Sequence, residues 1–83
     1  MASESVHFGL DDGTTVAVES RNYRRVYDEL WILSQKMPGA VSTAGLLLHA
    51  ARHPSYPRDV DLNGAQSAAL KRAINRSGHG AGA

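Results

Sequence analysis

Two histidines at helical spacing are the first residues in this chain that could do chemistry. His49 and His53 lie four apart, so both rings would project from one side of a helix, a spacing that suits two zinc ligands. The residues between them, Ala50-Ala51-Arg52, lack the glutamate that a metalloprotease helix uses as general base. A third ligand would have to come from His7, Asp59 or Asp61, and no spacing rule selects among them. The simpler expectation is a pair of solvated histidines near a helix C-terminus, where the dipole favours positive charge.

The carboxylates invite a similar reading and a similar answer. Asp11 and Asp12 are adjacent, but neighbouring side chains in a tight turn point apart, and aspartate is what such a turn prefers. Asp59 and Asp61 flank Val60 and in a strand would face away from the core, discouraging edge-to-edge pairing. Nucleophile chemistry has no candidate: there is no cysteine, no Gly-x-Ser-x-Gly elbow and no phosphate-cradling glycine loop. The expectation is a protein without catalytic residues, cofactor or metal.

Two basic clusters are the next features. Arg21, Arg24 and Arg25 stand near the start of one predicted helix, and Lys71, Arg72 and Arg76 stand on another. Converging on one surface, they could grip phosphates. Tyr23 and Tyr27, which could stack on bases, fall instead on a core-facing stripe. Asp28 and Glu29 interrupt the first cluster and the net charge is only +1, so nucleic-acid binding is the alternative rather than the leading reading.

Ile32 stands on the charged back of the first helix, with Trp31 on its flank. Together they form a candidate partner-binding patch. Single exposed apolar residues need no explanation, but here a small chain also carries a second helix that is apolar nearly all round. That is more apolar surface than one small monomer easily hides, and it predicts docking to a protein partner or to a second copy as a homodimer.

These residues need a scaffold. Eighty-three residues, 42% hydrophobic, hold one domain and one core. Without cysteine there is no disulfide to supplement packing. The polar start and the absence of a long apolar run predict a soluble cytoplasmic protein without a leader or membrane span. The arginine and alanine bias suggests a GC-rich, bacterial genome.

Val6, Phe8 and Leu10 alternate with His7 and Gly9, as do Val16 and Val18 with Ala17, which predicts a β-hairpin. A two-residue loop would split the apolar residues between the faces. A three-residue loop, Asp11-Asp12-Gly13, pairs Leu10 with Thr14, Phe8 with Val16 and Val6 with Val18, with Gly13 taking the left-handed position. A helix should follow from Asn22 to Met37, capped by Ser20 or Asn22 and stopped by Pro38-Gly39.

The second helix should begin at Ser42 as N-cap, with Val41 and Leu46 as a hydrophobic staple, and end before Pro54. Pro54 to Pro57 reads as a rigid turn, and Asp59 to Leu62 as a short edge strand. Asn63 with Gln66 forms a capping box for a third helix reaching Asn75. The expected fold is a small α+β domain over residues 1–76, a β-hairpin and short third strand packed on three helices in the order ββαα(β)α. Residues 77–83 should form a disordered tail.

Overall fold

The computed structural model describes residues 5–53 and 59–77. Within them the chain is a mixed α+β domain with a three-stranded sheet and three α-helices, in the predicted order. The predicted Pro54–Pro57 turn and residues 78–83 of the predicted tail lie outside the described residues, whereas Ser77, expected in that tail, ends the last helix.

The hairpin forms as its side-chain alternation dictates. Strands β1 (Ser5–Gly9) and β2 (Thr15–Glu19) are antiparallel, with Val6 opposite Val18 and Phe8 opposite Val16. Leu10 N–H donates to Thr14 O at 2.8 Å, and Gly13 N–H to Leu10 O at 3.1 Å. Gly13 has φ +89°, the left-handed conformation that closes a three-residue loop. Asp12 fixes the turn from within: its Oδ1 accepts from Thr14 N–H at 3.0 Å and from Thr14 Oγ1 at 2.6 Å.

Strand β3 (Asp59–Asp61) pairs parallel to β1 on its other side, giving the order β2-β1-β3. All three helices cover one face, where Val6, Phe8 and Val18 are fully buried, while His7, Thr15, Ala17 and Asp61 are exposed.

Helix α1 (Tyr23–Leu33) buries Val26, Leu30 and Leu33, the predicted stripe. A short 3-10 turn over Ser20–Asn22 precedes it, and Asn22 occupies the N-cap position without a side-chain capping bond. Regular helix stops at Leu33, four residues before the predicted end. Leu33 O accepts from Lys36 and Met37 N–H, so the last turn tightens before Pro38.

The start of α2 (Ala40–Arg52) corrects the sequence expectation. Its N-cap is Gly39, with φ +88°, and Ser42 sits inside the first turn. Gly39 also lies against α3: a Cβ there would stand 2.8 Å from the Ala65 carbonyl carbon. Only glycine tolerates both the dihedral and the approach, so the helix begins there. Gly39 O is held by Thr43 N–H and by the Thr43 and Ser42 hydroxyls at 3.0, 2.7 and 3.1 Å. With the cap moved, Val41 and Leu46 no longer occupy staple positions, and Val41 is exposed.

Helix α3 (Gly64–Ser77) is capped as predicted, and runs two residues beyond Asn75. Asn63 N–H donates to Gln66 Oε1 at 3.0 Å, and Gln66 N–H to Asn63 Oδ1 at 2.8 Å. Gln66 Nε2 also donates to Ser42 Oγ at 3.0 Å, tying the starts of α2 and α3 together. The core lies between sheet and helices, with Phe8, Leu30, Leu47 and Leu70 as its largest fully buried members.

Candidate functional site

The antiparallel packing of α1 and α2 leaves a groove of about 360 Å³ between them. Tyr23, Arg24, Tyr27 and Asp28 line it from α1, and Leu47, Leu48, Ala51 and Arg52 from α2. The first turns of α1 thus face the last turns of α2. Walls are aromatic and aliphatic, and the rim is charged. Arg24 Nε donates to both Asp28 oxygens at 3.2 and 3.3 Å, whereas Arg52 has no carboxylate partner among the described residues. Tyr23 Oη is buried without a hydrogen-bond partner there, a costly arrangement for a polar atom.

The apolar banks extend beyond the groove. Trp31 lies one turn on from Tyr27, and the two rings meet edge to face with centroids 6.2 Å apart. Val41 lies two turns before Leu48 on the same stripe of α2. Trp31 is 46% exposed and Val41 49%, so both helices keep large apolar side chains open to water. Ile32, 54% exposed, stands on the outer side of α1, about 100° around the helix from Trp31. Across the groove from Tyr27 stand Leu47 and Leu48 of α2, a facing wall that periodicity alone did not reveal.

The basic residues are dispersed by their ion pairs. Arg21 Nε lies 2.9 Å from Glu19 Oε1, Arg24 pairs with Asp28, Lys71 Nζ lies 2.9 Å from Asp12 Oδ2, and Arg76 Nε lies 2.8 Å from Glu29 Oε1. These pairs point to the β2 edge, the groove, the hairpin turn and the α1–α3 seam. Arg25 and Arg72 alone of the six predicted phosphate contacts have no ion-pair partner among the described residues. Lys71 and the Thr14 hydrogen bonds affect Asp12 strongly: the two Thr14 bonds first, then Lys71, hold its carboxyl well below the usual range. Asp12 in turn raises Lys71 above the ordinary lysine value.

The histidine and carboxylate candidates fall on different layers. His49 and His53 approach each other, ring centroids 4.3 Å apart, on the solvent side of α2. His7 is on the face of the sheet opposite the helices, in register with Asp59 of β3. Asp61 shares that face, its Oδ1 2.7 Å from where a Cβ on Gly9 would stand. The helical layer separates His49 from His7. Among the described residues, no group of three or more metal-ligating side chains gathers, and no helix is long and apolar enough to cross a membrane.

Comparison with protein-family models, with curated proteins and with solved structures gives no match.

Proposed function

We propose that this chain is a small, non-catalytic interaction module that docks a protein partner on the α1–α2 surface and also self-associates. One observation carries the reading: Tyr27 on one bank and Leu48 on the other flank an open groove with a charged rim, and the same two helices expose Trp31 and Val41. A partner's apolar side chain entering that groove would gain burial against both helices, and aromatic anchors of this kind dominate binding energy. The cytoplasm as compartment belongs to the same proposal, supported by a chain without cysteine.

The test is comparative affinity capture from the source organism, read by quantitative mass spectrometry. Trp31→Glu and Val41→Glu are compared with wild type, and Arg72→Glu serves as the surface control. A protein retained by wild type and control, and lost from both apolar variants, supports the reading. Titrating that purified protein then follows burial of the single tryptophan by its fluorescence. Identical captured proteins for all four baits would sink the idea.

A second reading, nucleic-acid binding, draws on Arg25 and Arg72, which lack ion-pair partners among the described residues. It has less support because Arg21, Arg24, Lys71 and Arg76 are each engaged by a carboxylate.

A further inference from the structure

The sheet has two edges that are managed differently. β3 is three residues long and bears aspartates at both ends, features that discourage strand pairing. β2, Thr15-Val16-Ala17-Val18-Glu19, is longer, strongly β-forming, and contains neither proline nor lysine. Among the described residues no strand pairs with its outer side.

The register says which backbone groups line that outer side. Bonded and non-bonded pairs alternate along an antiparallel ladder. Leu10 and Thr14 are bonded, so Phe8–Val16 and Val6–Val18 are the bonded pairs within the strands. Thr15, Ala17 and Glu19 therefore turn their N–H and C=O groups outward. The other side of β1 agrees: Gly9, partner of Thr15, gives its carbonyl to Leu62 N–H of the β3 segment at 2.8 Å. Thr15 and Ala17 are exposed, and Val16 on the helix side is left partly uncovered.

We infer that a second copy of this chain pairs with β2 along this edge, antiparallel and about a two-fold axis at Ala17. The inference rests on the self-association part of the proposed function and is independent of the α1–α2 groove. The two-fold register makes the strand complementary to itself. Ala17 meets Ala17 of the second copy, the smallest side chain at the crowded centre. Thr15 lies opposite Glu19, a hydroxyl facing a carboxylate, and Val16 lies opposite Val18 on the helix side. Three bonded pairs result, each exchanging two hydrogen bonds. Centring the axis on Val16 or Val18 leaves two such pairs within the strand, and centring it on Glu19 sets like charges face to face. The product is one continuous six-stranded sheet with helices on one face, closed by an isologous interface.

The register gives the test its specificity, because Ala17 is its own partner. In sedimentation equilibrium the wild type should form a dimer. Ala17→Lys and Ala17→Glu should each weaken it at least about tenfold, since like charges then meet at the centre. An equimolar mixture of the two variants should dimerise again, and Trp31→Glu should dimerise like wild type. Hydrogen exchange on the unaltered protein supplies a second measurement should either variant misfold: the Thr15, Ala17 and Glu19 amides should gain protection with concentration. A wild type that stays monomeric at its solubility limit overturns the inference. So does a dimer untouched by Ala17→Lys, a mixture that stays monomeric, or protection independent of concentration. Loss of dimer in Trp31→Glu alone would move the self-association to the groove and equally end this assignment.

Discussion

The Asp11 backbone N–H donates to Ser67 Oγ at 3.0 Å, joining the tip of the β1–β2 hairpin to the first turns of α3 across 56 positions of sequence. Ser67 is buried in the apolar side of its helix while Asp11 is exposed, so this bond is partly shielded from water. It explains how a hairpin too small to stand alone is held at its far end, while its near end runs through the 3-10 turn into α1.

Ser67→Ala should therefore destabilise the fold by about 1 kcal/mol, toward ~3 if Asp11 N–H finds no water. The measurement is urea unfolding with the m-value held as a check on cooperativity. A midpoint equal to wild type would mean that the hairpin tip is not anchored through this bond.

Two glycines share a left-handed backbone but not an environment, and their alanine variants should separate the two costs. At Gly13 a Cβ meets nothing within 4 Å, so Gly13→Ala should cost only the dihedral, roughly 1–2 kcal/mol. At Gly39 the same dihedral comes with a Cβ 2.8 Å from the Ala65 carbonyl carbon, which forces α2 and α3 apart. Gly39→Ala should lower the thermal midpoint clearly more than Gly13→Ala. Equal shifts would show that the α2–α3 junction has room to spare.

The Asp12 carboxyl, held down by Thr14 and Lys71, gives a pH signature. A group whose folded-state pKa is depressed stabilises the fold above its unfolded value and loses that contribution as pH falls through the folded value. The stability difference between wild type and Asp12→Asn should stay constant from neutral pH down to about 4, the ordinary aspartate range. Below that it should shrink progressively. The Lys71 shift is upward, so its contribution is present below the ordinary lysine value and fades only in strong alkali. Denaturant midpoints across the acid range decide the matter; a difference that vanishes well above pH 4 would refute the Asp12 part.

A labelled mixed-sequence DNA duplex, titrated by anisotropy at several salt concentrations, should give no more than weak binding even at low salt. Four of the six basic residues are engaged by carboxylates, leaving few phosphate contacts to release counterions. Tight binding with a steep salt slope would promote the nucleic-acid reading over protein docking.

Legibility followed locality. The three-residue turn was readable because Gly13 and the Val6–Val18 alternation lie within a dozen residues, and only one loop length places every apolar side chain on one face. The Asn63–Gln66 box was readable because both bonds span three residues. Ser67 was missed, although a serine on the Leu70–Ile74 stripe was a signal that something polar would meet it there. The onset of α2 was misplaced because Ser42 is a good N-cap by composition. The deciding contact, Gly39 against Ala65, joins segments 26 positions apart.

The sequence by itself determined the elements, their order and the inward faces, because periodicity and turn chemistry act over a few residues and each admits one low-energy answer. It also marked Trp31 and Ile32 as apolar residues outside the core stripe. Only the tertiary structure decided that Leu47 and Leu48 face Tyr23 and Tyr27 across a groove, that four basic residues are paired, and that β3 lies beside β1 and leaves β2 at the edge. Those outcomes depend on which helices pack and which strands pair. Such choices are settled by burial summed over the whole core, not by any local run of residues.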